Sequence, residues 1–220
     1  MTGAGFRGGW TELAISYRLP PAYLPYVVDF ATRFIPETER ILPEPRQAEL
    51  GLDVYMRWIQ VPGSTSGICA EQIANAVTYL PDEGRHSVAT FSDVIFMADN
   101  RESGLEVVRQ VDAKGIRVNH TFDPNKNSKA ERRRKMAFYL GSEKVKATTI
   151  HSFKGWESSV VVVQIEMIKN DRAGRLAAVY AALTRLRAAE NGPALIVVIC
   201  SEPGLREYGA TWPDFSFVEV

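Results

Sequence analysis

The stretch Ala147–Glu166 reads ATTIHSFKGWESSVVVVQIE and holds two strand-like runs, ATTIH and SVVVVQI, on either side of the polar loop SFKGWE. Four consecutive valines fit a strand in the middle of a parallel sheet, because helices cover such a strand on both faces. A His, a Ser, a Lys, a Gly and a Glu interrupt this apolar pattern within a few residues. The stretch therefore predicts a buried parallel sheet that carries a polar loop.

The rest of the chain alternates between strand-like and helix-like segments. Short apolar or alternating runs predict strands, and apolar residues at helical spacing predict helices. The further strands are predicted over Val54–Val61, Asp93–Ala98, Ile116–His120 and Ala194–Cys200, and the helices over Ala22–Ile35, Ile68–Leu80, Ser103–Gly115 and Leu176–Ala189. Because strands that alternate with helices are typical of one fold class, we predict an α/β domain with a parallel, doubly wound sheet.

The polar loop has a predicted place in such a sheet. Ligands of doubly wound sheets bind at the C-terminal ends of the strands. Because SFKGWE follows the strand ATTIH, we expect the whole loop to lie at that edge, as a site on a rigid scaffold. The alternative is a plain surface turn, in which Gly155 supplies the bend and the side chains of Lys154 and Glu157 are solvated.

Composition limits the possible classes of protein. The 220 residues are 45% hydrophobic and 24% charged, which is ordinary for a globular protein with a core. Lys+Arg and Asp+Glu number 26 each, so a site for an acidic partner would have to be local. Cys69, Cys200 and the histidines lack metal-ligand spacing, so we predict buried, reduced thiols and no metal site. No apolar run approaches the roughly 18 residues of a membrane span, and we expect a cytoplasmic protein without a membrane partner.

The helix-like segment Arg175–Ala189 has two distinct sides. The side expected to face the sheet carries Leu176, Val179, Tyr180, Leu183 and Leu186. The opposite side carries Arg185 among five alanines, Ala178, Ala181, Ala182, Ala188 and Ala189. A flat alanine surface lets another body approach closely, and a projecting guanidinium suits phosphate because its planar donors bind two oxygens. The alternative for Arg185 is a solvated surface charge, whereas Arg187 is expected to cap the helix end or to pair with a carboxylate.

A short aromatic–basic pair lies near the start of the chain. Tyr17 and Arg18 stand just ahead of Pro20 and Pro21, which hold the chain extended. An aromatic ring beside an arginine could stack on a base while the arginine contacts a phosphate. Alone, the pair indicates nothing about function.

A basic segment covers Asn125–Lys146. It holds eight lysines and arginines against two glutamates. Such a segment could follow a nucleic-acid backbone electrostatically, and Arg132, Arg133 and Lys135 are its candidate contacts. The alternative is a solvated helix face, which is the usual reason for a run of charge.

Three segments together resemble a known family. SYR near the start, TIHSFKGWE in the middle and VYAALTRLR near the end resemble motifs IV, V and VI of the second RecA-like domain of UvrD/Rep-like superfamily 1 helicases. The family patterns are roughly N-Y-R, T-x-H-x-x-K-G-x-E and Y-V-A-x-T-R-A. The middle match is the most specific, since Thr149, His151, Lys154, Gly155 and Glu157 all stand at the expected spacing. DVIFMADNRESGLEVVRQVDAKGI looks like the strand–helix unit before motif V, so the resemblance covers essentially the whole chain.

The resemblance implies the C-terminal motor domain of an ATP-dependent DNA helicase or translocase, with ATP and Mg²⁺ as cofactors. Tyr17 would stack on the adenine, and Arg18 would reach the γ-phosphate. Gly155 and Glu157 would lie beside the nucleotide, with Glu157 accepting a hydrogen bond from the ribose. Arg185 would be the arginine finger that stabilises charge on the transferring phosphoryl group.

The resemblance also implies a nucleic-acid contact and a domain division. Thr149, His151 and Ser152 would face single-stranded DNA and touch its backbone. Residues 1–20 would be a glycine-rich lead-in that carries SYR, and residues 21–220 would form a single RecA-like domain. The basic segment would replace the large accessory insertion of many relatives. The departures from the family patterns are Ser16 for Asn, Trp156 for Leu and Leu186 for Ala, and none of them removes a charged or stacking group.

Part of an ATP site is missing from the sequence. No G-x-x-x-x-G-K-[ST] motif occurs, and Asp82-Glu83 follows Pro81 and a helical segment, so this acidic pair is interpreted as a turn. We therefore expect the chain to be the C-terminal half of a larger protein. An N-terminal RecA-like domain would supply the Mg²⁺ ligands, and the chain alone should not hydrolyse ATP at a useful rate.

Two other classes of function were weighed against the motor. A non-motor RecA-like module would bind nucleic acid or protein without turnover, and a Walker A lysine in the upstream coding sequence would argue against it. A small-molecule α/β enzyme is disfavoured, because no glycine-rich cofactor loop follows any predicted strand.

Overall fold

A computed structural model describes residues 15–16, 19–40, 44–45, 54–78, 93–122, 138, 143–153, 156–188 and 194–218. Its strands are β1 (Ile15–Ser16), β2 (Glu44–Pro45), β3 (Val54–Gln60), β4 (Val94–Ala98), β5 (Val118–His120), β6 (Val145–Thr149), β7 (Val160–Ile165), β8 (Ala194–Cys200) and β9 (Asp214–Phe217). Strands β1 and β2 pair with each other. The other seven form one parallel sheet in the order β5-β6-β4-β7-β8-β3-β9.

The helices of the described ranges are α1 (Leu24–Phe34), α2 (Ser66–Thr78), α3 (Arg101–Ala113), α4 (Arg172–Leu183) and the short α5 (Arg206–Gly209). Three short 3₁₀ turns cover Glu37–Glu39, Ile150–Phe153 and Pro203–Leu205. Helices α1 and α4 pack against each other, as do α2 and α3. The predicted α/β class, a parallel sheet flanked by helices, is therefore confirmed.

Two hydrophobic cores lie on opposite faces of the sheet. Because side chains alternate along a strand, Ile95 and Met97 of β4 join α1 and α4 in one core, whereas Phe96 joins α2 and α3 in the other. Strand β7 pairs with β4 on one side and β8 on the other, and all six of its residues are buried. The valine run is thus a central strand, as its sequence predicts.

Helix α4 differs from its prediction at both ends. The Asp171 side chain accepts a hydrogen bond from the Gly174 N–H at 3.2 Å and caps the helix start, so the helix begins before Leu176. The helix ends at Leu183, because Leu186 pairs with Ser158 instead of continuing the helix.

The alanine side of α4 is not open. Ala178 and Ala182 are buried in the same core as Val27 and Phe30 of α1. The predicted approach surface for another body is therefore wrong for these two residues: their small side chains let α1 of the same chain pack closely. The opposite stripe is as predicted, with Leu176, Val179, Leu183 and Leu186 buried and Tyr180 partly buried against the same core.

Lys146, the last residue of the predicted basic segment, is a core residue. It lies in β6 with its side chain fully buried, and burial lowers the pKa of its ammonium group while nearby Asp93 raises it. The alternating pattern of β6 turns it inward, so it does not belong to a basic surface. Arg132, Arg133 and Lys135 lie outside the described residues.

Both cysteines are buried, as predicted. Cys69 and Cys200 are free thiols, and burial raises the pKa of Cys69 well above its usual value and that of Cys200 to about 12. High thiol pKa values disfavour the reactive thiolate. In the described ranges, no helix has the length and apolar character needed to cross a membrane.

Gly104 provides a test of how closely α3 packs on the sheet. A Cβ atom on Gly104 would lie 2.5 Å from Cζ of the buried Phe122 and 2.9 Å from Cβ of Ala98. We expect Gly104→Ala to lower the free energy of unfolding by about 1–3 kcal/mol, because overpacking forces neighbours out of place. Urea unfolding would measure the change.

Gly67→Ala is the matched control, because Gly67 is also helical and its nearest neighbour would be the Gln110 Oε1 at 3.7 Å. Its stability should stay unchanged or rise slightly, since Ala favours helix over Gly by about 1 kcal/mol. Equal stability of the two variants would contradict the close packing of α3.

Candidate functional site

A polar groove lies at the C-terminal ends of β4, β5 and β6. Its volume is about 670 Å³, and it is lined by Asp99, Asn100, Arg101, Thr121, Phe138, Thr149, His151, Ser152 and Trp156. Three of the six residues predicted to contact nucleic acid, Thr149, His151 and Ser152, thus line one groove at the predicted edge of the sheet. The other lining residues were not predicted as site residues.

Local hydrogen bonds fix the turn that follows β6. The Thr149 hydroxyl donates to the Ser152 Oγ at 3.0 Å, and the Ser152 N–H donates to the Thr149 Oγ1 at 3.3 Å. The next residues form the 3₁₀ turn Ile150–Phe153, in which Ile150 and Phe153 are buried while His151 and Ser152 are exposed. The buried pair anchors the turn, so His151 and Ser152 are presented at the groove.

Helix α3 begins at the wall of the groove. Asn100 caps it by accepting a hydrogen bond from the Ser103 N–H at 3.0 Å, and Arg101 is its first residue. The N-terminus of a helix carries a partial positive charge, and Arg101 adds a cation at the same place. This end of the groove therefore favours an anionic ligand.

A second wall contact is ionic. The Arg175 guanidinium of α4 pairs with the Asp99 carboxylate at the end of β4, and the Asp99 side chain is only 6% exposed. Burial lowers the pKa of Arg175. The pair joins α4 to the strand end that lines the groove and neutralises the buried carboxylate there.

The polar loop does not stay at this edge. Phe153 is buried in the core on the α1/α4 face, and the Ser158 hydroxyl donates to the Asp93 carbonyl at the start of β4. The prediction that the whole loop lies at the C-terminal edge is therefore wrong for Glu157. A parallel strand must be entered from the opposite end of the sheet, so the chain has to reach that end before β7 begins.

The end of this loop meets the end of α4. The Ser158 N–H donates to the Arg185 carbonyl at 3.1 Å, and the Arg187 N–H donates to the Ser158 carbonyl at 2.9 Å. These two bonds place the backbone of Glu157 and Arg185 side by side. Two predicted nucleotide-binding residues that are far apart in sequence are thus neighbours in the fold.

The start of α1 lies at the same place. The Tyr23 hydroxyl donates to the Leu183 carbonyl, the last of α4, at 3.2 Å, and Tyr23 is fully buried. Burial also raises its pKa well above the usual value, which keeps the phenol neutral as a donor. Tyr17, Arg18 and Gly155 lie outside the described residues.

Arg185 does not project from an open face. Its Nε donates to the Ala181 carbonyl at 2.9 Å and its Nη2 to the Thr184 hydroxyl at 3.3 Å, so the half-buried guanidinium covers the C-terminus of α4. Helix C-termini favour such cations because their last carbonyls are unpaired. The predicted projecting guanidinium is therefore folded back on its own helix.

The groove wall contains residues that sequence reasoning missed. Asp99, Asn100 and Arg101 stand directly after the buried strand β4 in the sequence ADNR. Polar residues that follow a buried parallel strand lie at the edge where ligands bind, so this signal was present in the sequence. Thr121 and Phe138 had no such signal.

The fit of the chain to ATP and Mg²⁺ can be judged from its donor groups. Arg185 can donate to phosphate oxygens, and Glu157 can accept from a hydroxyl. The part of the chain that the structure describes holds no group of three His, Cys, Asp or Glu side chains able to bind a metal ion. The donor and acceptor of Arg185 and Glu157 are chemically compatible with a nucleotide, and the described residues contain no preformed metal cage.

Comparison with known proteins gives structural similarities only. No protein-family model and no curated protein matches the chain. Among solved structures, it is similar to the C-terminal domain of a possible DNA helicase from Lactobacillus plantarum, at 13% identity and a TM-score of 0.49 over 88% of this chain and 96% of that one.

Two DEAD-box proteins are also similar. The C-terminal domain of the DEAD-box protein Dbp5 matches at 12% identity and a TM-score of 0.45 over 75% of this chain and 89% of that one. A DEAD-box protein from Methanococcus jannaschii matches at 10% identity and a TM-score of 0.41 over 89% of this chain and 48% of that one.

Glu202 supports the connection between β7 and α4. Its Oε2 accepts from the Ile168 N–H at 2.8 Å, and its Oε1 accepts from Arg172 at 3.0 Å and from the Gly204 N–H at 3.1 Å. Burial acts to raise the pKa of this carboxyl, but the donated hydrogen bonds outweigh burial and lower it. The ionised form therefore holds the start of α4, and with it Arg175.

We expect Glu202→Gln to destabilise the fold near neutral pH by about 1–3 kcal/mol. The NH₂ group of the glutamine side chain would replace an acceptor oxygen and would leave one of the present N–H donors without a partner. A lowered carboxyl pKa contributes stability above the unfolded value of 4.5, and that stability is lost as pH falls through the folded value. The difference from wild type should therefore shrink below about pH 4.5.

Urea unfolding at several pH values would measure this difference, and Glu207→Gln, on the exposed side of α5, controls for removal of a carboxylate. If the stability difference between Glu202→Gln and wild type stayed constant as the pH fell below about 4.5, the charge of Glu202 would play no part.

Proposed function

We propose that this chain is the second RecA-like domain of an ATP-dependent helicase or translocase that acts on single-stranded DNA. The observation that carries the proposal is the pairing of Ser158 with Leu186. It joins the ends of the two segments that resemble motifs V and VI, so Glu157 and Arg185 lie together although they are far apart in sequence. A half-site for a nucleotide requires that proximity.

The nucleotide half-site would form at the N-terminal edge of the sheet. Glu157 would accept from the ribose, and Arg185 would reach the γ-phosphate of ATP held mainly by a partner domain. Tyr17 and Arg18 would complete this half-site, as the sequence resemblance implies. Bound ATP with its Mg²⁺ would supply the phosphoryl group whose transfer releases the free energy for movement.

Arg185 would have to change partners to act as an arginine finger. Two of its hydrogen bonds now go to neutral acceptors, a carbonyl and a hydroxyl. Hydrogen bonds to charged phosphate oxygens are roughly twice as strong as bonds between neutral groups. Triphosphate at the domain interface would therefore draw the guanidinium away from the helix end.

The groove at the other edge would hold the single strand. Its hydroxyls, the imidazole of His151 and the cation of Arg101 can donate to phosphate and sugar oxygens, which provide most protein contacts to nucleic acid. Such contacts position the strand and carry no sequence information. A translocase needs that property, because it must bind every sequence that it passes over.

The loop between β6 and β7 would connect the two sites. It begins at the groove with His151 and ends at Glu157 beside Arg185, and its buried residues Ile150 and Phe153 are packed in the core between. A change in the position of Glu157 when ATP binds would be transmitted through this packed segment. The same loop would then change how tightly the groove binds single-stranded DNA.

A module that binds nucleic acid without turnover is the second candidate. The observation in its favour is that the Arg185 side chain satisfies the end of its own helix. In such a module Arg185 would have a structural role only, and the groove would act alone.

The test is ATP hydrolysis stimulated by single-stranded DNA, measured on the chain joined to its native upstream sequence. We expect Arg185→Ala to reduce turnover by about a thousand-fold or more while nucleotide binding is retained, because the finger acts on charge in the transition state. Arg109→Ala, an exposed arginine of α3 paired with Glu106, should leave turnover unchanged.

Equal rates for Arg185→Ala and wild type would contradict the arginine finger. An upstream sequence without a Walker A lysine, or a complete lack of hydrolysis in the wild type, would favour the non-motor module.

A further inference from the structure

One aromatic side chain of the groove is exposed. Trp156 is 45% exposed, whereas Trp58 and Trp212 are 0% and 3% exposed in the core. Tryptophan has a large apolar surface that proteins normally bury, although its N–H also suits a partly wet site. An exposed indole that lines a groove is therefore available to a ligand.

A backbone hydrogen bond holds the residue that carries this indole. The backbone N–H of Trp156 donates to the Phe153 carbonyl at 3.1 Å, and Phe153 is fully buried. The backbone that carries the ring is thus tied to the core. A ring on a fixed backbone loses little conformational freedom when it binds.

The groove divides into two kinds of surface. Thr149, His151, Ser152 and Arg101 supply donors and a cation, which suit phosphate and sugar. Trp156 supplies an apolar ring in the same groove. A nucleic-acid strand has both kinds of partner, since each phosphate is followed by a base with an apolar face.

We propose that Trp156 is a stacking platform for one base of the single strand that the groove binds. This inference rests on the proposed function and adds to it a residue that contacts a base. Trp156 stands where the family pattern has Leu, and a leucine side chain has no aromatic face to offer. Stacking on it is tolerant of sequence, because every base has a π-face.

The probe is a fluorescein-labelled oligodeoxythymidylate of about twelve nucleotides, a length within the range that such sites cover. Its counterpart has the same phosphates and length but abasic residues throughout. Binding of the 220-residue chain to both is measured by fluorescence anisotropy at one salt concentration, because phosphate contacts make affinity depend on salt.

We expect the wild type to prefer the thymidylate over the abasic strand, and Trp156→Ala to lose roughly 5- to 100-fold in affinity for the thymidylate alone, since stacking contributes about 1–3 kcal/mol per base. Trp156→Phe should keep part of the preference. Tyr55→Ala, which removes an aromatic ring of 48% exposure on β3, should behave as wild type.

The outcomes separate the two hypotheses. Thymidylate binding that Trp156→Ala leaves unchanged, or equal affinity of wild type for both strands, would overturn the stacking role while the backbone-binding groove stands. A wild type that binds neither strand would overturn the nucleic-acid contact and, with it, the stacking role.

Discussion

The connection from β6 to β7 is the constraint on which the rest of the arrangement depends. Both strands belong to a parallel sheet, so the chain must travel from one edge of the sheet to the other, a distance of about 20 Å. Strand β4 lies between β6 and β7 in the sheet, and the described start of the connection, Ile150–Phe153, is a short 3₁₀ turn. Most such crossovers use a helix. In this connection Ile150 and Phe153 are packed in the core.

Packing and hydrogen bonds hold both ends of this connection in defined positions. Phe153 and Ile150 lie in the core that α1 and α4 form on the same face. At the far end, Ser158 is tied to Asp93 before β4 and to the backbone beside Leu186. Each end of the connection is thus held in place by packing or hydrogen bonds to the rest of the fold.

Much of the fold was predictable because local patterns and tertiary structure agree. Strand β8 was predicted at its observed bounds, and β7 was predicted from four valines that only a doubly covered strand would bury. The position of the turn after β6 followed from the rule that ligands bind where parallel strands end, whereas the roles predicted for Thr149, His151 and Ser152 came from the family resemblance. Strand β9 was missed although its four residues, DFSF, alternate polar and apolar side chains.

The errors arise where one residue type serves two purposes. Alanines favour a helix whether they face solvent or a neighbouring helix, so the sequence could not show that α1 covers Ala178 and Ala182. Leu186 continues the helical period but pairs with Ser158, and tertiary pairing outweighed the local propensity. Lys146 counted as surface charge because its burial depends on the pairing of β6 with β4 and β5.

The capped end of α4 has a thermodynamic consequence. In the present state Arg185 stabilises the helix terminus, and in the proposed nucleotide-bound state the same side chain would leave it. By linkage, nucleotide binding and the capping of this helix terminus then oppose each other. Any change that stabilises the capped terminus weakens the binding of nucleotide by the same free energy. Part of the domain's response to ATP would thus arise from competition between the helix terminus and the nucleotide for one guanidinium.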